Sequence, residues 1–127
     1  MFLIDTSVWI DFLRGTSNHR VELLEKLLEE GEACICEIVY AEICFGASHD
    51  LQLQKYADYF STIPFLKLPL DWHLKIGRMG YKLRKKGFKP FIADLMIAQC
   101  ALTHSATLIT SDKDFIPYQD LFGLVIV

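Results

Sequence analysis

The chain has 127 residues, of which 52% are hydrophobic, and its formal net charge is −3 at pH 7. A chain of this length can bury a core without disulfides or a structural metal, so we expect one domain over residues 1–127. The composition excludes a disordered or low-complexity chain. The net charge, taken alone, argues against a nucleic-acid partner.

No segment has the pattern of a signal peptide or a membrane span. The first apolar run, Phe2 to Ile4, ends at Asp5, whereas a transmembrane helix needs about 20 apolar residues. The cysteines form neither a CxxC pair nor a zinc-like spacing, and each has apolar neighbours. We therefore expect a cytoplasmic protein with no membrane contact and with reduced, buried cysteines.

The first half of the chain predicts two strands and four helices. The short apolar runs Met1–Asp5 and Ala33–Cys36 are typical of strands. Apolar segments that end at a glycine predict two of the helices, and apolar residues at helical spacing predict the other two, the first of them with Asn18 as its N-cap. These are Ser7–Arg14, the segment from Asn18 to Gly31, Glu37–Phe45 and His49–Thr62.

The second half predicts three more strands and two helices. The strands are Phe65–Leu68, Thr107–Thr110 and Leu124–Val127. One helix is capped by Asp71 and continues through Lys86, and the other is Ile92–Thr103. Strands separated by helices predict an α/β fold with a parallel sheet covered on both faces. Such sheets bind ligands beyond the carboxyl ends of their strands, which is where Asp5 and Asp112 fall.

Three acids are each the only charge in an apolar stretch. Asp5 stands alone in residues 1–10, Glu42 in residues 38–47 and Asp94 in residues 90–103. Burying a lone carboxylate is unfavourable unless a cation compensates its charge or its pKa rises until it is neutral. No basic residue is interleaved with these acids, so a shared metal ion is the simplest explanation.

The residue types indicate which metal. Oxygen ligands without accompanying histidine or cysteine favour Mg²⁺ or Mn²⁺ over zinc. Such an ion keeps several waters, one of which can be activated as a nucleophile, and it stabilises charge on phosphoryl oxygens. The pattern therefore predicts a metal-dependent hydrolytic site.

Each acid also has a purely structural interpretation. Asp5 and Asp94 could each cap the helix that follows or begins there, and Asp112, next to Lys113, could belong to an ordinary polar turn. Glu42 discriminates best, because it falls in the middle of a predicted helix, where capping cannot explain it. A buried salt bridge to a distant basic residue remains an alternative for Glu42.

Seven of the thirteen basic residues lie between Lys75 and Lys89, with no acid among them. This segment is either the solvated face of a helix with its cations near the C-terminus or a phosphate-binding surface. Under the second interpretation, Arg84, Lys85 and Lys86 are candidate RNA-binding residues.

The acids fall within four motifs that together resemble one known family. The motifs are Phe2-Leu3-Ile4-Asp5-Thr6-Ser7-Val8-Trp9-Ile10-Asp11, Ala41-Glu42-Ile43-Cys44-Phe45-Gly46-Ala47, Ala93-Asp94-Leu95-Met96-Ile97-Ala98 and Thr107-Leu108-Ile109-Thr110-Ser111-Asp112-Lys113-Asp114-Phe115. Their order across nearly the whole chain resembles PIN domains, specifically the VapC-type toxin ribonucleases of toxin–antitoxin pairs.

This resemblance implies a three-layer α/β/α sandwich with a five-stranded parallel sheet. It implies a metal-dependent endoribonuclease, a homodimer and a cognate antitoxin protein. Carried over by position, the catalytic and metal-binding acids would be Asp5, Glu42, Asp94 and Asp112; Thr6, Ser7 and Asp114 would be possible supporting residues.

Other classes fit less well. A haloacid-dehalogenase-type phosphatase needs a second acid two residues after Asp5, and Ser7 occupies that position. A catalytically inactive PIN-like module that binds RNA or a protein is the main alternative. Its sequence sign would be the loss of one of the four acids, and all four are present.

Overall fold

The computed structural model describes residues 1–127, and its centre is a four-stranded parallel sheet. The strands are β1 (Phe2–Ile4), β2 (Ala33–Cys36), β3 (Phe65–Leu66) and β4 (Thr107–Ile109), and their order in the sheet is β3-β2-β1-β4. Strand β1 lies between β2 and β4 and runs parallel to both. The predicted α/β fold with a parallel sheet is confirmed.

Seven α-helices connect and flank these strands. Helix α3, helix α6 and strand β2 have the predicted bounds, and the other predicted elements except the fifth strand agree within two residues at each end. The helices are α1 (Thr6–Leu13), α2 (His19–Glu29), α3 (Glu37–Phe45), α4 (Asp50–Phe60), α5 (Trp72–Lys85), α6 (Ile92–Thr103) and α7 (Ile116–Phe122).

The expected fifth strand, Leu124–Val127, is reduced to a single parallel bridge between Leu108 and Ile126. The chain end does pair with β4, since the Leu108 N–H donates to the Val125 carbonyl at 2.8 Å and the Val127 N–H donates to the Leu108 carbonyl at 2.9 Å. The sheet therefore has four strands rather than five.

One helix was not predicted. A 3₁₀ turn over Lys113–Phe115 leads directly into α7, which carries a proline in its first turn and ends at Gly123 with φ +72°. Proline is compatible with the first turn of a helix, because the N–H that it lacks would have no intrahelical partner there. The polar Asp112–Asp114 segment thus begins a helical region, and α7 comes to lie beside the acids.

The sheet forms the centre of the hydrophobic core. Leu3, Ile35, Leu108 and Ile109 are completely buried, as is typical of parallel strands covered on both faces. Helices α5 and α6 pack against each other, and α3 packs against α1, α4 and α6. None of the helices combines the length and the apolar character that a membrane crossing requires.

Of the two predicted helix caps, Asn18 makes capping hydrogen bonds and Asp71 does not. Asn18 caps α2, because its side-chain oxygen accepts hydrogen bonds from the N–H groups of Arg20 and Val21, each at 3.0 Å. Asp71 occupies the N-cap position of α5 but makes no side-chain capping bond. Its carboxylate instead forms an exposed ion pair with Lys75 at 3.8 Å.

Candidate metal site

The carboxyl ends of β1 and β4 meet at one edge of the sheet. The two strands are parallel and pair Ile4 with Ile109, and the N–H of Asp5 donates to the Ile109 carbonyl at 2.9 Å. Asp5 and Thr110 are therefore the first residues after two adjacent strands. This edge is where ligands bind in open parallel sheets.

Asp5 is 5% exposed and held by three hydrogen bonds. Its Oδ1 accepts from the Thr6 N–H at 2.8 Å, and its Oδ2 accepts from Ser7 Oγ at 3.1 Å and from Thr110 Oγ1 at 2.7 Å. Burial raises the pKa of Asp5 in spite of these bonds. Asp5 is indeed the N-cap of α1, and the same carboxylate also lies among the other acids.

Thr110 connects Asp5 to Asp112. Its side chain donates to Asp5, while its Oγ1 accepts from the Asp112 N–H at 3.0 Å. Thr110 is only 3% exposed, so this link is shielded from water. Sequence reasoning did not assign Thr110 a role, although a hydroxyl at the end of a strand was the available indication.

Glu42 approaches the same region from the middle of α3. Its Oε1 accepts a hydrogen bond from Thr6 Oγ1 at 2.9 Å, so the hydroxyl groups of the two residues expected to support the site, Thr6 and Ser7, donate to different acids. Glu42 is half-buried and has no basic partner. The buried salt bridge weighed for Glu42 is therefore wrong.

Asp94 lies half-buried among the other four acids. It lies in the first turn of α6, whose N-cap is Phe91, and it makes no side-chain hydrogen bond; the capping alternative for Asp94 is therefore wrong. Burial raises the pKa of Asp94 to about 6, and the negative charges of Asp112, Asp5, Asp114 and Glu42 contribute to the increase. All five acids thus share one electrostatic neighbourhood.

Asp94, Asp112 and Asp114 form the tightest part of this cluster. Each offers a carboxylate oxygen, and these three oxygens lie within 4.8 Å of one another. Asp112 also accepts a hydrogen bond from the Asp114 N–H at 2.9 Å, so the polar-turn interpretation of Asp112 is correct as far as it goes. Asp114, expected only as a possible supporting residue, lies inside the group.

None of the five acids forms an ion pair within the protein. The three ion pairs of the structure join Met1 to Glu32, Lys26 to Glu30 and Lys75 to Asp71. A set of carboxylate and hydroxyl oxygens without nitrogen or sulfur donors fits a hard divalent cation. Asp94, Asp112 and Asp114 could hold such an ion directly, with Asp5 and Glu42 nearby.

A cleft of about 240 Å³, hereafter the acid cleft, lies beside this cluster, between the start of α6 and α7. Asp94 and Asp114 line it together with two basic residues, Lys89 and Lys113. Sequence reasoning missed Lys113, Phe91 and Tyr118 as lining residues. Tyr118 lies on helix α7, which was not predicted, and nothing in the sequence around it indicated a role at the site.

The three basic residues proposed from the sequence lie outside the acid cleft. All are exposed; Arg84 lines a neighbouring groove between α5 and α6, whereas Lys85 and Lys86 line a separate cleft with Leu121. No contact in the structure tests their RNA binding, which stays a prediction.

A parallel α/β domain with a cluster of carboxylates at the ends of its strands belongs to a class of domains whose sheet edge is suited to a hard divalent cation. The sequence comparison identifies the family within this class. Residues 2–120 match the PIN domain, and the chain belongs to the PIN-domain family.

Individual proteins that the chain resembles are consistent with this family. Ribonuclease VapC11 of Mycobacterium tuberculosis is 30% identical over 119 residues, which cover 91% of this chain and 89% of the relative. Ribonuclease VapC2 of Rickettsia felis is 27% identical over 120 residues, covering 91% and 90% of the two chains. Among solved structures, VapBC2 from Rickettsia felis, bound to a DNA fragment from its promoter, has a TM-score of 0.80 at 22% identity and covers 99% of this chain and 96% of that one.

Proposed function

We propose that this protein is a metal-dependent endoribonuclease and the toxin of a toxin–antitoxin pair. The observation that carries the proposal is the convergence of five acids, without a basic partner, at the carboxyl ends of β1 and β4. The PIN-domain family and relatives named VapC ribonucleases supply the substrate class, which is RNA.

Mg²⁺ or Mn²⁺ is the proposed cofactor, because the donors are hard oxygens. The proposed catalytic and metal-site residues are Asp5, Glu42, Asp94 and Asp112, to which the 4.8 Å cluster adds Asp114. The bound ion would supply Lewis-acid chemistry, activating water for attack on phosphorus and offsetting charge on the phosphodiester.

The protein's own residues fix the acids in position. Asp5 cannot rotate freely, because Thr6, Ser7 and Thr110 all donate to its two oxygens. Thr6 orients Glu42 in the same way through its hydroxyl group. A carboxylate cage that is fixed before the substrate arrives needs little reorganisation during the reaction.

The proposed partners follow from the same family. Solved structures with this fold include a toxin–antitoxin complex from Klebsiella pneumoniae, and we propose an antitoxin partner for this chain as well. The family resemblance also supports a homodimer of one-domain chains, spanning residues 1–127. An RNA substrate and four free cysteines support action in the cytoplasm.

Incubating purified protein with total RNA tests the enzyme. We expect cleavage with Mg²⁺ or Mn²⁺ and none with a chelator, and we expect Asp94→Asn to lower the rate by several orders of magnitude. The matched control is Asp120→Asn on α7, an exposed acid without a side-chain hydrogen bond. An intact wild-type fold that never cleaves RNA would instead support the inactive binding module.

Growth assays test the toxin separately. Expression of the wild type should arrest growth, Asp94→Asn should not, and co-expression of a small protein encoded beside the gene should restore growth. If the wild type cleaves RNA in vitro and never impairs growth, the enzyme assignment stands and the toxin assignment is wrong.

A further inference from the structure

Two buried cysteines contact each other in the hydrophobic core. Cys36 ends β2 and Cys100 lies in the second half of α6, and they are 1% and 0% exposed. Cys36 pairs in register with Leu66 of β3, and Cys100 Sγ lies 3.5 Å from the carbonyl oxygen of the same Leu66. The two thiols are close enough to share a hydrogen bond. The fold therefore places two sulfur atoms from distant parts of the chain side by side.

Cys36 has the setting of a reactive thiol, because it occupies the N-cap position of α3, where the helix dipole favours negative charge. The contact with the Cys100 thiol lowers the pKa of Cys36 against the opposing effect of burial. Its sulfur makes no regular capping bond, but the nearby N–H groups of Val39 and Ile38 lower the pKa further. The same contact raises the pKa of Cys100. Cys36 is therefore the thiol of the pair that supplies the nucleophilic thiolate.

The cysteines are attached to the two helices that carry Glu42 and Asp94. Cys36 immediately precedes α3, which contains Glu42, and α6 contains both Asp94 and Cys100. These two helices pack against each other. A disulfide holds its sulfur atoms about 2.05 Å apart, which is closer than two unbonded thiols approach. Because both side chains are enclosed in a close-packed core, closing this gap displaces α3 relative to α6 and moves Glu42 relative to Asp94.

We propose that Cys36 and Cys100 form a reversible disulfide when the protein meets a hydroperoxide, and that this bond weakens the binding of a divalent cation by the acids. The first half of this inference is independent of RNA cleavage, and the second half rests on the proposed function, which supplies the metal site. Disulfides of cytoplasmic proteins are usually transient and redox-sensing, which is the behaviour expected of this pair.

The reaction is a two-electron oxidation of the pair by the peroxide. The Cys36 thiolate attacks one peroxide oxygen, the O–O bond breaks, and the leaving hydroxide takes up a proton to become water. The Cys100 sulfur then attacks the sulfur of the resulting sulfenic acid, and the S–O bond breaks. The hydroxide released in this step leaves as a second water with the proton of Cys100. A dithiol such as dithiothreitol restores both thiols by exchange.

Burial decides which oxidant can act. Thiols enclosed in an apolar core are normally inert, and a bulky disulfide reagent cannot reach these two while the protein is folded. Hydrogen peroxide is little larger than water and can enter through local opening at the start of α3. Cys44 is the only one of the four cysteines that is not buried, so it is removed for the test.

The first experiment detects the bond. Reduced Cys44→Ser protein is treated with hydrogen peroxide, blocked with iodoacetamide, digested and analysed by mass spectrometry. We expect the intact protein to lose two hydrogen atoms, a linked pair of peptides containing Cys36 and Cys100, and complete reversal by dithiothreitol. Protein with no linked peptides after this treatment would overturn the proposal.

Three further variants in the Cys44→Ser background identify the partners. Cys36→Ala and Cys100→Ala should form no bond, whereas Cys34→Ala should form it as the parent does. Cys34 is the matched control, since it is buried on the same strand two residues before Cys36. Loss of the bond in Cys34→Ala alone would show that the wrong pair had been assigned. Circular dichroism of the reduced variants establishes that each is folded.

The second experiment measures the effect on the acids. After removal of the peroxide, Mn²⁺ is titrated by calorimetry into the reduced and the oxidised protein. We expect the oxidised protein to bind Mn²⁺ about tenfold more weakly and dithiothreitol to restore the affinity. Peroxide-treated Cys100→Ala, which cannot form the bond, should bind as its untreated form does. Equal affinities of the reduced and the disulfide-bonded parent would overturn the coupling to the metal site.

The outcomes separate this inference from the proposed function. If the reduced protein cleaves no RNA but the linked peptides form and Mn²⁺ affinity falls, the redox site stands without the enzyme. If the reduced protein cleaves RNA and the cysteines never pair, the enzyme stands and the redox site is wrong. A reduced protein that binds no Mn²⁺ would overturn both the proposed metal site and its coupling to the cysteines.

Discussion

Thr110 Oγ1 donates a 2.7 Å hydrogen bond to Oδ2 of Asp5, joining two residues that are 105 positions apart in the chain. The bond is buried and lies where β1 and β4 end side by side. Because Thr110 also accepts from the Asp112 N–H, one hydroxyl group fixes the relative positions of two candidate metal ligands. The geometry of the site therefore depends on a residue that is not itself an acid.

Replacing Thr110 with valine should expose this dependence. The substitution keeps the shape of the side chain but removes the donor to Asp5 and the acceptor for Asp112, so we expect a loss of about 1–2 kcal/mol in the free energy of unfolding. Misplaced acids should also lower the cleavage rate by about tenfold or more. Urea unfolding and cleavage assays measure both effects.

Thr110→Ser and Thr107→Val serve as controls. Serine retains the hydroxyl group, and Thr107 is the first residue of β4, the strand that Thr110 follows, and makes no side-chain hydrogen bond. Both proteins should stay close to wild type in activity. If Thr107→Val is as damaging as Thr110→Val, strand packing and not the Asp5 contact is responsible.

Asp94→Asn should stabilise the metal-free protein near neutral pH. The folded protein raises the pKa of Asp94 from 3.8 to about 6, so folding favours the protonated form. The contribution of Asp94 to stability is then highest below pH 3.8, falls as the pH rises towards about 6, and stays lowered above it. The substitution removes this penalty, and we expect a melting temperature higher by about 3 °C at pH 7.5.

Thermal melts in a chelator between pH 3.5 and 8 test this difference. The gain from Asp94→Asn should shrink towards zero at the acid end, and Asp120→Asn should show no comparable dependence. A destabilised Asp94→Asn protein at pH 7.5 would mean that this carboxylate is a structural group.

Asp114 should matter for metal binding almost as much as Asp94. Mn²⁺ at about 100 times its Kd should stabilise the wild type by about 2.7 kcal/mol through binding linkage. Because carboxylate oxygens of Asp94, Asp112 and Asp114 lie within 4.8 Å of one another, each Asp→Asn substitution should abolish most of that gain. Isothermal calorimetry and melting curves with Mn²⁺ and Mg²⁺ provide the measurement.

Asp120→Asn is again the matched control and should keep the full metal-dependent shift. If metal raises the melting temperature of Asp114→Asn as much as that of the wild type, Asp114 is not a metal ligand. Equal shifts in all variants would show that the ion binds elsewhere.

The basic residues of α5 should contribute unequally to RNA binding. Replacing Arg84, Lys85 and Lys86 together with glutamate should weaken binding and flatten its dependence on salt, because each lost phosphate contact removes about 0.7 from the slope for a single strand. Arg84→Glu alone should account for most of the change, since only Arg84 lines the groove beside Phe88 and Lys89.

Lys55→Glu on α4 controls for net charge, because Lys55 is exposed and forms no ion pair. The salt dependence of RNA binding by Lys55→Glu should stay close to that of the wild type. An unchanged slope in the triple variant would leave these residues as the solvated C-terminal end of α5.

The amino-acid sequence determined the parts of this protein that follow from local pattern. Continuous apolar runs such as Ala33–Cys36 predicted buried parallel strands, and the bounds of α3 and α6 follow from longer apolar segments next to Gly46 and Pro90. The isolated charges of Asp5, Glu42 and Asp94 marked a site, because a lone acid among apolar residues requires compensation wherever the chain folds.

Only the tertiary structure decided which groups meet. The bond from Thr110 to Asp5, the place of Asp114 in the cluster and the position of Tyr118 in the acid cleft depend on pairing β1 with β4 and on α7 packing beside them. The same holds for the chain end, where one bridge to Leu108 replaces the expected strand. Local propensity carries no information about such contacts, because they join residues far apart in sequence through the geometry of the whole sheet.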